Sequence, residues 1–232
     1  MAFITIDDLT GPSELAALAG NPELTLDVTS VGDLRRLPAH VEAILYTDAD
    51  SFSAPLLQKS RHIDAASASS FDVPLLQESG DIDASGADSF SAPSLRISGR
   101  INAGSVTSFS VPLLQKSGDI DASGADSFSA PSLRESGHID ICSATSFSVP
   151  LLQKSGDIDA SGADSFSAPS LRESGRIDIC SATSFSVPLL QKSGDIDASS
   201  ADTFSAPSLQ ESGHIETCSA ESFSAPLLHR RF

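Results

Sequence analysis

The chain has 232 residues, with 14 basic and 31 acidic side chains, and its formal net charge is −17. This charge argues against direct binding to nucleic acid or an anionic membrane, which carry the same sign, and favours a cationic partner, a metal or simple solubility. No stretch approaches the roughly 18 consecutive apolar residues of a membrane-spanning helix, so we expect no such helix.

Residues 1–23 are predicted to form an N-terminal cap. The segment 13–19, Ser-Glu-Leu-Ala-Ala-Leu-Ala, has helical spacing, with Pro12 and Ser13 at its start and Gly20 at its end. A cap of this kind covers the apolar end of a repeat array and blocks pairing at its edge strands.

A repeat of 19 residues occupies most of the rest of the chain. One copy runs from Ser108 to Asp126, and the next begins at Ser127. A fixed period of this length is typical of a solenoid, in which each repeat forms one coil. One proline in every copy leaves little room for helices, and apolar residues alternate with polar ones, which predicts short strands. The residues of this copy predicted to point inward are Phe109, Val111, Leu114, Ile120, Ala122 and Ala125.

The repeat therefore predicts an all-β fold, a right-handed parallel β-solenoid with 19-residue coils over residues 24–232. Because the repeat length does not slip, equivalent residues of successive coils should stack in register, with Phe on Phe and Ile on Ile. Each such set of equivalent residues is called a column below. At the C-terminal end, Arg230 and Arg231 are expected to guard the edge against pairing, and an end-to-end homodimer is the alternative.

The divergent segment 24–44, with Leu24-Thr-Leu-Asp-Val28 and Leu34-Arg-Arg-Leu-Pro, resembles short leucine-rich repeats and the receptor L-domain type of β-solenoid. The resemblance extends over residues 24–228 and implies a binding scaffold, usually for proteins. Phe and Ile occupy several of the leucine positions, and the usual asparagine ladder is missing, which favours a straighter prism over a curved horseshoe.

The three cysteines, Cys142, Cys180 and Cys218, fall in one column and are separated by two coils each. Coils stacked at about 4.8 Å place neighbouring cysteines about 10 Å apart, beyond the reach of a disulfide. Unpaired thiols, together with an N-terminus that lacks the features of a signal peptide, predict a cytoplasmic protein. We interpret the cysteines as small packing residues, because serine occupies the same column at Ser123 and Ser161.

In two neighbouring columns of outward-pointing residues, acidic and basic side chains alternate from coil to coil. A third outward column consists almost entirely of acidic residues. In-register carboxylates repel one another, so this nearly unbroken acidic ladder, which Asn102 interrupts, is the best candidate for a working surface. The alternative is that it only keeps a β-rich rod soluble. We predict that it binds a basic protein partner, with mimicry of nucleic acid or inhibition of a nucleic-acid-binding protein as a special case. The predicted acidic face consists of Asp64, Asp83, Asp121, Asp140, Asp159, Asp178 and Asp197.

The second candidate surface is a grid of serine hydroxyls on the Ser-x-Ser strands. It resembles the faces of β-solenoid ice-binding proteins, although those mostly use threonine. This hydroxyl face consists of Ser108, Ser110, Ser127, Ser129, Ser146, Ser148, Ser165, Ser167, Ser184 and Ser186.

A third alternative is a calcium-dependent surface or assembly protein. Asp81-x-Asp83-x-Ser85-Gly86-x-Asp88 resembles the start of a calcium loop, but the bidentate glutamate that completes such a loop is missing. We predict no resident metal or cofactor and no enzyme activity, because the sequence has no nucleophile elbow and no phosphate-binding loop.

Overall fold

The protein is a solenoid built from two parallel β-sheets. The computed structural model describes residues 2–31, 34–142 and 144–228. Arg230 and Arg231, the predicted guards of the C-terminal edge, lie outside the described residues.

The described chain has one α-helix, α1 (Pro12–Ala19), and one 3-10 helix (Leu34–Arg36). In chain order the strands are β1 (Ala2–Thr5), β2 (Leu24–Asp27), β3 (His40–Tyr46), β4 (Ser51–Ser53), β5 (Lys59–Asp64), β6 (Ser70–Asp72), β7 (Glu78–Asp83), β8 (Ser89–Ser91), β9 (Ile101–Asn102), β10 (Ser108–Ser110), β11 (Ile120–Asp121), β12 (Ser127–Ser129), β13 (Ile139–Asp140), β14 (Ser146–Ser148), β15 (Ile158–Asp159), β16 (Ser165–Ser167), β17 (Ile177–Asp178), β18 (Ser184–Ser186), β19 (Ile196–Asp197), β20 (Thr203–Ser205), β21 (Ile215–Glu216) and β22 (Ser222–Ser224).

These strands form a 12-stranded sheet, the Ile-Asp sheet, and a 10-stranded sheet, the Ser-Phe-Ser sheet. The Ile-Asp sheet runs from β1 through β2 and β3 and then through the odd-numbered strands to β21, and the Ser-Phe-Ser sheet contains the even-numbered strands from β4 to β22. Neighbouring strands pair in parallel, with a register shift between β3 and β5 at Val41 and Ile44. Beyond β5 the pairing keeps the 19-residue register, so Phe109 lies opposite Phe128 and Asp121 opposite Asp140. The predicted all-β solenoid with 19-residue coils is confirmed, and its right-handed winding stays a prediction.

The core is a set of stacked apolar columns between the two sheets. Every residue predicted to point inward in the Ser108–Asp126 copy is at most 1% exposed. Phenyl rings from Phe52 to Phe223 stack along the solenoid, with centroid distances from 4.5 Å to 5.4 Å. Parallel, offset rings at this spacing add attraction beyond their burial, so the phenylalanine column stabilises contacts between coils.

One inward column is polar, which the alternation of apolar residues did not predict. Ser117 is buried, and its hydroxyl donates a hydrogen bond of 3.0 Å to the carbonyl oxygen of Gly99 in the preceding coil. The equivalent hydroxyl of Ser155 donates to Gly137 at 3.1 Å. Because a buried hydroxyl without a partner is costly, these carbonyl oxygens stabilise the serine column. Ser79, in the same column, is the exception, because its buried hydroxyl has no hydrogen-bond partner among the described residues.

The first coils differ from the rest of the array. The predicted cap helix is present as α1, and its buried Leu15 and Ala19 join the hydrophobic core. The residues before it form β1, which pairs with β2 at Ile4 and Leu26 and extends the Ile-Asp sheet by one strand. The N-terminal segment therefore combines a helix with the first strand of the solenoid.

The phenylalanine column yields a stability prediction. Phe128→Ala removes a ring that is 2% exposed and stacked at 4.7 Å on both Phe109 and Phe147. We expect it to lower the free energy of unfolding by about 3–5 kcal/mol, measured by urea denaturation, because the cavity has no side chain to fill it. Phe223→Ala, in the last described strand, is the matched control and should cost clearly less, because Phe223 is only partly buried and stacks on one described ring, Phe204. Equal losses for the two variants would contradict this stacking account.

Candidate functional site: the acidic face

The residues of the predicted acidic face lie in one column on the outer side of the Ile-Asp sheet. Strand pairing places Asp64 opposite Asp83, Asp140 opposite Asp159, and Asp178 opposite Asp197. Asn102 interrupts the column between Asp83 and Asp121. All seven aspartates are half-buried, so the structure brings the predicted residues together on one surface.

Each aspartate of this column also holds the corner that follows its strand. Its Oδ1 accepts a hydrogen bond from the backbone N–H two residues later, at 3.0 Å from Ser161 to Asp159 and at 3.0 Å from Ser199 to Asp197. A side chain that accepts a backbone N–H in this way stabilises a turn. The same bond is made by Asp64, Asp83, Asp121, Asp140 and Asp178.

These hydrogen bonds offset part of the repulsion between stacked carboxylates. The hydroxyl and the backbone N–H of Ser199 lower the pKa of Asp197 against a smaller opposing effect of burial. Burial raises the pKa of Asp159, but the hydrogen bonds from Ser161 and Cys142 outweigh it, and the net shift is downward. Hydrogen bonding to the ionised form therefore stabilises the charged state of these two carboxylates.

The neighbouring outward column explains why the sequence repeats fully only after 38 residues. In every second coil its residue is an aspartate, and the carboxylate accepts the backbone N–H of the equivalent residue in the next coil, as from Arg100 to Asp81 at 2.8 Å and from His138 to Asp119 at 2.8 Å. The residue just before each donor must be glycine, because a Cβ on Gly137 would collide with Oδ1 of Asp119. Two coil types therefore alternate, one that supplies the carboxylate and one that accommodates it.

The column that contains Lys116, at the start of the Ile-Asp sheet, alternates lysine with glutamate, as the sequence predicts. Lys116 pairs with Glu135 at 2.9 Å, and Lys154 pairs with Glu173 at 3.1 Å. The bond from Lys116 lowers the pKa of Glu135. These pairs are exposed and cancel one another's charge, so the net negative charge of this face comes from the aspartates of the other two columns.

The predicted hydroxyl face lies on the outer side of the Ser-Phe-Ser sheet. Ser108 lies opposite Ser127, and Ser110 lies opposite Ser129. All ten of its serines are exposed or half-buried. Within the described part of the chain their hydroxyls make no hydrogen bond, so these groups are free to bind water or another surface.

The three cysteines are free, as expected from their separation. Burial, together with hydrogen bonds to Asp140 and Asp159, raises the pKa of the Cys142 thiol far above its ordinary value. A thiol held in its protonated form is a poor nucleophile, which agrees with a packing role for this residue.

The structure does not gather ligands for calcium. Asp81 binds the N–H of Arg100, and Asp83 binds the N–H of Ser85 in its own coil. Across residues 2–31, 34–142 and 144–228, no group of three or more acidic, histidine or cysteine side chains is placed to hold a metal ion.

In comparisons with known proteins, the chain matches no family model, no curated protein and no solved structure. The structure itself establishes a β-solenoid of stacked coils. None of the helices in the described ranges is long and apolar enough to cross a membrane.

The turn-forming role of the aspartates was not recognised from the sequence. The signal was available, because each aspartate of the column is followed two residues later by Ser, Cys or Ala at its corner, and Asp-x-Ser is a typical turn sequence. A column of like charges is readily interpreted as a binding surface. The hydrogen bond that each carboxylate accepts from a backbone N–H depends on the conformation of the corner, which only the structure shows.

The turn bond yields a prediction that separates its two contributions. Asp159→Ala removes both the acceptor and the charge, and we expect a loss of about 1 kcal/mol in unfolding free energy, typical of a lost side-chain cap. Asp159→Asn keeps an oxygen for the N–H of Ser161 and relieves repulsion from Asp140 and Asp178, so its loss should be smaller. Asp126→Ala is the control, because the Asp126 side chain makes no hydrogen bond and is exposed. Urea denaturation measures all three variants, and a greater loss for Asn than for Ala would refute the turn assignment.

Proposed function

We propose that the protein is a non-catalytic scaffold that binds a basic protein surface through the acidic face. The observation that carries this proposal is the in-register column of half-buried aspartates on the Ile-Asp sheet, in a chain of net charge −17. A rigid row of like charges attracts an oppositely charged partner without having to be ordered on binding.

The turn hydrogen bonds leave carboxylate oxygens of the acidic face available to a partner. Asp121 and Asp197 use Oδ1 for their corners, and their second oxygens have no hydrogen-bond partner in the described chain. Each such oxygen can accept a hydrogen bond from a lysine or arginine of a partner. The Oδ1 bond restricts the orientation of the carboxylate, so the free second oxygen is held in place as well. The second oxygens of Asp83 and Asp178 already accept hydrogen bonds from Asn102 and Arg176.

Regular spacing of negative charge also supports the special case of nucleic-acid mimicry. In that case the column of carboxylates replaces phosphates and occupies a protein that binds nucleic acid, which inhibits it. The likeness of residues 24–44 to leucine-rich repeats and receptor L domains supports a protein-binding role in general. The free thiols support placement in the cytoplasm.

The proposal predicts binding that depends on the position of the charges. The triple variant Asp121→Asn, Asp140→Asn, Asp159→Asn keeps an acceptor at each corner and removes three charges from the acidic face. We expect it to bind a fluorescent dodeca-arginine peptide about tenfold more weakly than the unmodified chain, since three exposed charge contacts are worth roughly 0.5 kcal/mol each. Fluorescence anisotropy at several salt concentrations measures the affinity, which should fall as salt rises.

The matched control is Asp88→Asn, Asp126→Asn, Asp164→Asn, which changes the net charge equally but at exposed corners beside the Ser-Phe-Ser sheet. Its affinity for the peptide should stay within about twofold of the unmodified chain, because charges farther from a contact are screened. Equal weakening by the two triple variants, or binding that is indifferent to salt, would argue for diffuse attraction and against the acidic face.

A second candidate function is ice binding through the hydroxyl face. The observation that favours it is the in-register grid of serines whose hydroxyls have no partner within the described chain. Strands about 4.8 Å apart, with outward residues about 6.8 Å apart along each strand, give a regular two-dimensional array for water.

Ice binding predicts thermal hysteresis of the pure protein, measured by nanolitre osmometry. Ser129→Lys with Ser148→Lys should abolish it, because two long charged side chains break the plane of the array. Gln115→Lys with Gln153→Lys adds the same charge on another side of the coil and should leave it intact. Absence of hysteresis in the unmodified protein removes this candidate.

A further inference from the structure

The side of each coil that begins at its proline, here called the proline edge, has a two-coil pattern that neither proposed function uses. It comprises residues 112–116 and their counterparts in the other coils. Over eight consecutive coils the residue after the proline alternates between serine and leucine, as Ser94, Leu113, Ser132, Leu151, Ser170, Leu189, Ser208 and Leu227. The leucines are 41–53% exposed, so each is an apolar projection on the surface.

The serines between these leucines form gaps. They are half-buried, and the hydroxyl of Ser132 donates a 2.7 Å hydrogen bond to the carbonyl oxygen of Pro112 in the preceding coil. Ser94 binds Pro74 in the same way at 2.7 Å. The side chain of each of these two serines is thus held against the backbone, and the edge alternates between knobs and holes.

The charges of the proline edge follow the same two-coil period from Leu113 to Ser208. In this stretch, coils with an exposed leucine carry lysine three residues later, as Leu113 and Lys116, and coils with serine carry glutamate, as Ser132 and Glu135. Each of these lysines and glutamates is more than half exposed at its side chain, even where the two form an ion pair within the chain. At this position a leucine knob is therefore accompanied by a positive charge and a serine hole by a negative one. The position before it carries glutamine in the leucine coils and an exposed arginine in two of the serine coils, at Arg134 and Arg172.

We propose that the proline edge is the interface of a homodimer, in which a second copy of this chain docks antiparallel to the first. A two-fold axis between the coils of Leu151 and Ser170 reverses the order of the eight coils. Every leucine then meets a serine of the other copy, with Leu151 on Ser170, Leu189 on Ser132, Leu113 on Ser208 and Leu227 on Ser94. The same operation brings Lys154 to Glu173, Lys192 to Glu135 and Lys116 to Glu211 of the other copy.

Alternation is what makes the edge self-complementary. Reversing an alternating series of eight places unlike members opposite one another, so one operation satisfies both the packing and the charges. A parallel arrangement with the coils aligned would place leucine on leucine and serine on serine, so the knobs would collide and the holes would stay empty. Leu56 and Leu75, where the alternation fails, fall outside the paired coils.

The spacing of the knobs favours a second copy over a helical partner. Two coils advance about 9.6 Å, whereas seven residues of an α-helix advance about 10.5 Å, so a helix loses register by about 3 Å across four knobs. Another copy of this chain has an identical period by construction. Eight coils of about 4.8 Å and five residues of at most about 3.3 Å give an upper bound of roughly 600 Å² per partner, which lies at the lower limit for a specific interface.

The test uses a variant that adds apolar surface and is nevertheless expected to weaken the dimer. Ser170→Leu fills the hole that receives Leu151 of the other copy, so leucine meets leucine. The coil should tolerate this change, because Leu56 and Leu75 already occupy consecutive coils and are both exposed. The exchange variant Leu151→Ser with Ser170→Leu restores unlike pairs, since each introduced leucine then meets the introduced serine of the other copy.

Sedimentation equilibrium of the full chain should show a dimer for the unmodified protein, a dimer at least tenfold weaker for Ser170→Leu, and recovery to within about threefold in the exchange variant. Circular dichroism checks that all three are folded alike. A monomeric unmodified protein, a stronger dimer in Ser170→Leu, or no recovery on exchange would each overturn the proposal. A dimer of unchanged affinity in all three proteins would also overturn it and would favour association through the solenoid ends. The proline edge leaves the acidic and hydroxyl faces uncovered, so this result and the peptide-binding result are independent.

Discussion

The constraint on which this structure depends is that every side chain must tolerate its counterpart one coil away. With 19 residues in each coil and strands paired in register, each sequence position becomes a column with a spacing of about 4.8 Å. Apolar columns meet this constraint easily, because phenyl rings stack and isoleucine side chains pack against their counterparts in the next coil. Polar columns need specific hydrogen bonds or ion pairs between or within coils, and the outer surface is built from such interactions.

The solutions differ from column to column and together produce the period of two coils. Lysine alternates with glutamate, so neighbours attract. The Asp119 carboxylate accepts a hydrogen bond from the backbone N–H of His138 in the next coil, and this arrangement requires glycine at position 137. The aspartates of the acidic face do not alternate, and each is supported by the corner of its own coil. That column is the place where like charges remain stacked, which is why it is the strongest candidate for recognition of a basic partner.

Much of the fold was predictable from the sequence because periodicity and alternation report directly on winding and burial. The strand positions, the inward set around Phe109 and Ile120, the ion pairs and the free cysteines all followed from those two signals. The inward serine before each glycine did not, because its burial depends on a carbonyl oxygen that only the stacked coil supplies. The strand formed by residues 2–5 was missed because it lies outside the repeat and is defined by its pairing with Leu24–Asp27. The stacking of the aspartates in one column was predictable from the period, while the turn bonds that fix their carboxylates depend on backbone geometry at the corners.

The most direct test of the stacked-column account is the distance between equivalent residues as a function of the number of coils that separate them. Spin labels at Ser91 and Ser167, four coils apart, and at Ser91 and Ser205, six coils apart, suit double electron–electron resonance once Cys142, Cys180 and Cys218 are replaced by serine. The account predicts narrow distance distributions whose backbone components are about 19 Å and about 29 Å, an increase of about 4.8 Å for each coil. Broad distributions, or distances that do not grow with the number of coils, would contradict it.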